Sequence, residues 1–347
     1  MRVTVWRSST TLASPVRAAG QRHDWREHLF ASIEHEGVEG YGEVSPQPTM
    51  INGDPSTQSV IDALRAETLV RLGRTLRDTG ELPPWFKAHR LAGPRAASSV
   101  AWSLLEMALL DRTLRVGQTR LDTLWPARRR PATIATISLV DDEPWSIPPS
   151  AARVRAKVRP GSLRADRVER LASLGRPVIV DYNCSGGSVD AVARELESLG
   201  VAVPVVAVEQ PFAPGNLISH VQLAARQLAP VSLDEGLRSL LDLRLIARYG
   251  AASIVCVKPA RVGGLAAART IIDAAHRAGI RPYVGGFFES PLARTTLRDL
   301  AAAFVDEPSD VAPVRTRAKS GLEHAVDGIG YRPRRGALDE IVLEVES

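Results

Sequence analysis

Lysine is scarce in this 347-residue chain. Of its 44 lysine and arginine residues only four are lysine, at positions 87, 157, 258 and 319. Arginine therefore supplies positive charge wherever charge alone is needed. Because a guanidinium does not give up its proton in a protein, a retained lysine is a candidate for proton transfer. Lys157 and Lys258 are the clearest candidates, since each closes a short apolar run.

Other absences exclude whole classes of protein. Two cysteines, Cys184 and Cys256, cannot form a disulfide framework, and both follow apolar runs, so we expect buried, reduced thiols. No apolar run reaches the roughly 18 residues of a membrane span, and the first residues lack the apolar stretch of a secretory signal. No histidine or cysteine pair has the spacing of zinc ligands. These absences predict a cytoplasmic protein with no membrane partner.

The charge balance gives little support for nucleic-acid binding. The formal net charge is +5, but the arginines are scattered. Their one tight cluster, Arg128–Arg130, precedes Pro131 and is typical of a solvated linker. No helix-turn-helix, zinc-finger or single-strand-binding motif accompanies it, so we expect no nucleic-acid partner. A basic surface instead favours a small anionic substrate such as a carboxylate. The sequence leaves the oligomeric state open.

The first part of the chain is predicted to be an α+β region. Its first two strands are predicted to be antiparallel, and its first helix shows apolar residues at helical spacing. Ser98 and Ser99 are candidate caps for the second helix. The expected elements are strands at 2–7, 29–35 and 40–45, a polar loop at 14–26, and helices at 57–79 and 96–115.

From about Pro131 the pattern changes to short apolar runs that alternate with amphipathic stretches such as 188–199 and 264–278. Strands that are apolar on both faces, with helices between them, indicate a parallel sheet covered by helices. Eight such units close into a barrel of the TIM type. The tail around 338–345 is strand-like and is expected to return to the first region. The expected barrel strands lie at 133–139, 153–159, 178–183, 205–209, 231–235, 254–259, 282–286 and, weakly, 302–305.

Five charged residues occur at the ends of consecutive predicted strands, at steps of 24, 28, 25 and 24 residues. They are Lys157, Asp181, Glu209, Asp234 and Lys258. Active sites of such barrels lie at the carboxyl ends of their strands, so these side chains should share one pocket. A single charge after a strand is usually a cap or a surface group, and Asp234 could simply begin a helix. Five charges in register favour a functional site.

The chemistry of these five residues predicts metal-assisted proton transfer. Buried carboxylates need neutralisation, and three hard oxygen ligands suit Mg²⁺, or Mn²⁺. A lysine beside a cation can have a pKa that falls toward neutrality, so it can take a proton. The reaction that fits is removal of a proton next to a carboxylate, with the metal stabilising the enediolate that results.

These residues resemble the enolase superfamily, and within it the muconate-lactonising-enzyme subgroup, over roughly residues 1–335. The resemblance is closest to o-succinylbenzoate synthases and N-succinylamino-acid racemases. It is carried by ValLysProAlaArgValGlyGlyLeu (257–265), ValGlyGlyPhePheGluSerProLeuAlaArg (284–294), GlyTyrGlyGluValSerPro (40–46) and LeuGluMetAlaLeuLeuAsp (105–111). It implies an α/β fold, a modified (β/α)₇β TIM barrel at 128–319, with an α+β capping domain at 1–127 completed by the tail at 320–347.

The resemblance also implies roles for individual residues. Asp181, Glu209 and Asp234 would bind the metal, and Lys157 would be the general base. Lys258 would stabilise the enediolate in a synthase or act from the opposite face in a racemase. The polar loop at 14–26 would cover the site. Candidate substrate contacts are Arg155, which replaces the first lysine of a Lys-x-Lys motif, and Asn183, Ser138, Gly285 and Gly286.

Three functions stay open at this point. The first is syn dehydration of 2-succinyl-6-hydroxy-2,4-cyclohexadiene-1-carboxylate to o-succinylbenzoate, a step of menaquinone biosynthesis. The second is racemisation or epimerisation of an N-acylamino acid or dipeptide; Ser309-Asp310-Val311 lacks the Asp-x-Asp pair of dipeptide epimerases. The third is a barrel without catalysis, which the complete set of five charges argues against.

Overall fold

The computed structural model describes residues 1–18, 21–93, 95–140, 144–317, 321–334 and 336–346. Its strands are β1 (Arg2–Ala18), β2 (Gln21–His35), β3 (Val38–Val44), β4 (Thr133–Ser138), β5 (Ala151–Lys157), β6 (Val178–Asp181), β7 (Val205–Glu209), β8 (Val231–Leu233), β9 (Ile254–Val257), β10 (Arg281–Val284), β11 (Leu322–His324), β12 (Tyr331–Pro333) and β13 (Glu340–Glu346). Its α-helices are α1 (Thr57–Ala63), α2 (Leu69–Thr79), α3 (Trp85–Ala88), α4 (Ala96–Val116), α5 (Leu121–Leu124), α6 (Ala165–Ala172), α7 (Val189–Gly200), α8 (Leu217–Ala225), α9 (Leu240–Tyr249), α10 (Pro259–Val262), α11 (Leu265–Arg277) and α12 (Pro291–Phe304). A π-helical segment (Leu64–Thr68) joins α1 to α2, and a 3₁₀ turn (His89–Leu91) follows α3.

The capping region is a four-stranded antiparallel sheet in the order β13-β1-β2-β3, packed against α4. Apolar residues of β1 and β2, such as Val3, Val5 and Leu29, are buried in one cluster with residues of the helices. The tail strand β13 pairs with β1, with Val345 opposite Val3. The predicted return of the tail to the first region is therefore confirmed.

The predicted loop at 14–26 is wrong over most of its length. Strands β1 and β2 form one long hairpin whose pairing extends past Thr11, opposite Trp25, to Ala18, opposite Gln21. Residues 19–20 lie outside the described residues. The polar composition indicated a loop, but a hairpin can form without an apolar face along its length. Its backbone pairing is satisfied whatever the side chains are.

The predicted helices of the capping region are confirmed, but the predicted caps are not. Helix α4 begins at Ala96, with Arg95 as the capping residue and no side-chain cap. Ser98 therefore lies inside the helix, where its hydroxyl donates to Glu67. Among the described residues, no helix combines the length and apolar character that crossing a bilayer requires.

Seven parallel strands, in the order β10-β9-β8-β7-β6-β5-β4, form the curled sheet of the barrel. Their positions agree with seven of the eight predicted runs. The eighth, at 302–305, is wrong because these residues end helix α12, where a run of alanines continues the helix. The barrel instead closes at Ser309, which pairs in parallel with Thr133. The Asp310 amide donates to the Val284 carbonyl at 2.9 Å and so joins this segment to β10.

Two carboxylates of the capping region dock on the amino-terminal ends of barrel helices. Glu106, buried in α4, accepts from the backbone amides of Leu265 and Ala266 at the start of α11. Glu43 in β3 accepts from the amides of Ser290 at 2.7 Å and Ala293 at 3.0 Å, at the start of α12. Anionic groups are stabilised there by unpaired amides and by the helix dipole. These contacts fix the capping region over one side of the barrel.

We expect Glu106→Gln to remove a pH dependence of stability. Burial raises the pKa of Glu106 to about 8, although the two amides that it accepts from lower it. An exposed glutamate titrates near ~4.3, so the folded state binds one more proton between these values. The free energy of unfolding should fall by about 1.4 kcal/mol per pH unit as pH rises through this window.

Urea unfolding across this pH window measures the effect. The difference in stability between wild type and Glu106→Gln should change with pH across this window. If the free energy of unfolding changed with pH by the same slope in wild type and in Glu106→Gln, the raised pKa of Glu106 would be contradicted.

Candidate active site

The structure brings the five predicted charges to one edge of the barrel. Strand register places Lys157 beside Asp181 and Asp181 beside Glu209. Asp234 directly follows β8, and Lys258 directly follows β9. Asp181 and Glu209 are fully buried, Asp234 is 2% exposed and Lys157 is 8% exposed. We call these five residues the charged rim.

Each lysine of the charged rim pairs with a carboxylate. Lys157 Nζ lies 2.8 Å from Asp181 Oδ2, and Lys258 Nζ lies 2.8 Å from Asp234 Oδ2. The Lys258 ammonium also lies over the Phe287 ring, 4.6 Å from its centre. Burial lowers the pKa of Lys258, but Asp234, together with Cys256 and Glu235, raises it, so that the net shift is upward. The sequence predicted a fall, and the facing Asp234 carboxylate explains the difference.

A buried arginine connects the charged rim to the capping region. Arg261 Nη1 donates to Asp234 Oδ1 at 2.6 Å. Its Nε and Nη2 donate to the two carboxylate oxygens of Asp54, at 2.8 and 2.7 Å. Burial would raise the pKa of Asp234, but Arg261 and Lys258 hold it well below its usual range. Sequence reasoning missed both Asp54 and Arg261, although Arg261 stands only three residues after Lys258.

Glu209 has a different environment from the other two carboxylates. Its Oε2 accepts from the Tyr283 hydroxyl at 2.7 Å and lies 3.5 Å from Arg155 Nε. Its Oε1 is buried and has no hydrogen-bond partner in the part of the chain that the structure describes. Burial raises the pKa of Glu209 to about 8, Arg155 lowers it, and Asp181 and Asp234 raise it further. This carboxylate therefore has the least compensation by positive charge.

The donor chemistry of the charged rim fits a divalent cation. Asp181, Glu209 and Asp234 offer the hard oxygens that Mg²⁺ prefers. Glu209 Oε1 is a buried acceptor for which the described residues supply no donor. Within the described residues, no three histidine, cysteine, aspartate or glutamate side chains already have a geometry that could hold an ion. Asp181 and Asp234 turn instead toward the ammonium groups of the two lysines.

Three of the predicted substrate contacts lie next to Lys157 or Glu209. Asn183 has a left-handed backbone (φ 42°), and its Oδ1 accepts from Lys157 Nζ at 2.5 Å. Ser138 ends β4 directly beside Lys157 in the sheet register. Arg155 is buried between Glu209 and Asp310, 3.3 Å from the latter, so it belongs to the floor of the site. A direct role in substrate binding stays a prediction for all three residues.

Gly285 and Gly286 follow β10, also at this edge of the barrel. A Cβ at Gly285 would lie 2.5 Å from Cys256 Sγ and 3.1 Å from Lys258 Cε. The glycine is therefore required for the packing of Lys258, a reason that the sequence did not reveal. Cys256 is buried and Cys184 is half-buried, and both thiols are free.

Glu235 is a site residue that the sequence did not identify. The alternative that Asp234 begins a helix is wrong, since the next helix, α9, begins at Leu240 with Ser239 as its cap. The Glu235 carboxylate instead accepts from Asn52 Nδ2 at 3.2 Å and from Asn183 Nδ2 at 3.4 Å. Burial and the neighbouring Asp234 raise its pKa. Asn52, like Asp54, belongs to the capping region and contributes to the edge of the site.

This chain is similar to known proteins in a family model, in sequence and in structure. A family model described as enolase C-terminal domain-like matches residues 151–336. The chain is 28% identical to an o-succinylbenzoate synthase of Geobacillus kaustophilus, over 87% of this chain and 85% of that protein. It is also 28% identical to an N-succinylamino acid racemase of an Amycolatopsis species, over 86% of this chain and 82% of the relative. A Roseovarius nubinhibens protein of the mandelate racemase/muconate lactonizing type, solved in complex with magnesium, superposes with a TM-score of 0.78 at 18% identity, over 100% of this chain and 99% of that one.

Removing Asp54 should destabilise the protein strongly. In Asp54→Ala the buried Arg261 loses one of its two carboxylate partners, and breaking a buried ion pair from one side costs about 3–5 kcal/mol. Asp190→Ala removes a carboxylate from an exposed pair with Arg226, which should cost less than about 1 kcal/mol. Urea unfolding of the two variants measures both losses. A loss at Asp54 as small as that at Asp190 would contradict the connecting role of Arg261.

Proposed function

Because the chain belongs to the enolase superfamily, we propose that it is an o-succinylbenzoate synthase, which dehydrates 2-succinyl-6-hydroxy-2,4-cyclohexadiene-1-carboxylate. The superfamily relatives are enzymes, among them several o-succinylbenzoate synthases. The charged rim carries the proposal, since it sets one lysine at each end of a row of three carboxylates on neighbouring strands. Such a row suits a carboxylate substrate from which a carbon-bound proton is removed.

Asp181, Glu209 and Asp234 are the residues that would hold Mg²⁺, or Mn²⁺ in its place. A structural neighbour solved with magnesium supports this assignment. The bound ion would supply positive charge next to the substrate carboxylate, where negative charge develops as the proton leaves. Burial of all three carboxylates keeps water away and strengthens that electrostatic effect.

Lys157 is proposed as the single acid and base of the dehydration. Its ammonium group lies against Asp181 and Asn183, which fix its position. As the free amine it takes the proton next to the carboxylate, and it then gives that proton to the departing hydroxyl. The electron pair of the broken C–H bond forms the new double bond, and water leaves. Because one group serves both steps, the proton and the hydroxyl must leave from the same face of the substrate, which is a syn elimination.

Lys258 is proposed to act as a fixed positive charge on the opposite side. The Asp234 carboxylate and the Phe287 ring hold its ammonium group in place. The positive charge would stabilise the anionic intermediate without exchanging a proton.

Racemisation of an N-succinylamino acid is the second candidate. The Amycolatopsis relative with this name supports it, and so does the placement of a lysine at each end of the carboxylate row. In this reaction Lys157 and Lys258 would exchange protons with opposite faces of the same carbon.

Purified protein with Mg²⁺ should convert the cyclohexadiene acid to the aromatic o-succinylbenzoate, which ultraviolet absorbance detects. An N-succinylamino acid in D₂O serves as the comparison, with α-proton exchange followed by nuclear magnetic resonance. Exchange of that α-proton without formation of the aromatic product would overturn the lyase assignment and favour the racemase.

Arginine substitutions should separate the roles of the two lysines. Lys157→Arg should lower kcat for the dehydration by about 10²–10⁴-fold, because arginine cannot take the proton. Lys258→Arg should keep a much larger part of this activity, since it preserves the charge. Racemisation needs proton exchange at both positions, so either variant would abolish it. Equal losses of dehydration in the two variants would contradict a purely electrostatic role for Lys258.

A further inference from the structure

The two oxygens of the Glu209 carboxylate have unequal surroundings. Oε2 accepts from the Tyr283 hydroxyl at 2.7 Å. Oε1 is buried and has no donor within the described residues. Of the three carboxylates in the row, Asp181 and Asp234 are each in contact with a lysine, while Glu209 is not described in contact with one. The donor on Oε2 therefore decides which way the free oxygen of Glu209 faces.

Tyr283 is well placed to be that donor. It belongs to β10, two strands away from β8, and its side chain crosses the barrel interior to reach β7. It is 2% exposed. Its ring packs in an apolar cluster that leaves it little freedom to move; the cluster contains Ile134, Ile179, Ala207, Ile254 and Cys256. A rigid ring fixes the position of its hydroxyl, and hence of the carboxylate oxygen that accepts from it.

Arg155 is the alternative group that would position Glu209, but its contact with Glu209 is longer than that of Tyr283. Its Nε is 3.5 Å from Glu209 Oε2, beyond a good hydrogen bond. Among the residues that the structure describes, neither Nε nor Nη2 has a hydrogen-bond partner. Its Nη1 is drawn to Asp310 at 3.3 Å. Asp310 is itself paired with Arg294 at 3.4 Å. Arg155 thus contributes charge to Glu209, while Tyr283 makes the short directional contact.

We propose that Tyr283 is a positioning residue for the divalent cation: its hydroxyl holds Oε2 of Glu209 and leaves Oε1 to bind the ion through one oxygen. This inference rests on the proposed metal site and adds a residue to it. Tyr283 stands in an apolar strand and has the sequence signature of a core residue. Groups that orient a metal ligand through a hydrogen bond commonly change metal affinity by about 10–100-fold when they are removed.

The test is Mn²⁺ binding to the complete protein without substrate, followed by the electron paramagnetic resonance signal of the free ion. Tyr283→Phe removes only the hydroxyl and should raise the Mn²⁺ dissociation constant about 10–100-fold. Tyr182→Phe is the matched control. Tyr182 is also buried and directly follows Asp181, but its hydroxyl donates to Glu195 at 2.6 Å, so its dissociation constant should stay within about twofold of wild type. Circular dichroism and the melting temperature verify that both variants fold.

Two further variants make every outcome decisive. Glu209→Gln should abolish Mn²⁺ binding, and Arg155→Lys should weaken it less than Tyr283→Phe does. Wild-type affinity in Tyr283→Phe, with binding lost in Glu209→Gln, would overturn the role of Tyr283 and leave the metal site intact. A larger loss in Arg155→Lys than in Tyr283→Phe would overturn it in favour of Arg155. If Tyr283→Phe does not fold, a loss of about tenfold or more in Arg155→Lys overturns the role of Tyr283, and a smaller loss supports it. A wild type that binds no Mn²⁺ would overturn the proposed metal site together with this inference.

Discussion

Repulsion among three buried carboxylates is the constraint on which the rest of the site depends. Asp181, Glu209 and Asp234 lie on neighbouring strands with almost no exposure to water. Burying like charges together is costly unless opposite charges compensate for them. The chain meets this requirement with Lys157 beside Asp181, and with Lys258 and Arg261 beside Asp234. Glu209 is compensated least, which explains why its pKa is raised while that of Asp234 is lowered.

The same constraint explains why the capping region is part of the site. Arg261 carries one charge, and Asp234 and Asp54 face it from the barrel and from the cap. Asn52, two residues before Asp54, reaches Glu235 at the same edge. Movement of the cap would therefore leave charges of the barrel without partners. Electrostatic pairing, rather than apolar contact alone, fixes the cap at the mouth of the barrel.

The sequence predicts the barrel and the charged rim because both leave a local signal. Strands buried on both faces are apolar runs, and a charge that ends such a run marks the active-site edge. Contacts made across the fold leave no such signal. Asp54 lies in a loop about 200 residues from Arg261 along the chain, and Tyr283 is indistinguishable from a core aromatic residue. The barrel closure at Ser309 was missed for a related reason, because a single bridge needs no apolar run.

The near-absence of lysine acquires a structural meaning from these contacts. Arg155, Arg261 and Arg294 all neutralise buried carboxylates, a task that needs permanent charge and several donors. Lys157 and Lys258 occur where the charged rim faces the space that a substrate would occupy. The proposed division is between arginines that pair with buried carboxylates and lysines that face the substrate, of which Lys157 would exchange a proton and Lys258 would supply charge. Arg155 fits this division, because it compensates Glu209 and Asp310 from inside the barrel. An arginine in place of a lysine here would therefore change the support of the proposed metal ligands and leave the proposed base, Lys157, unaltered.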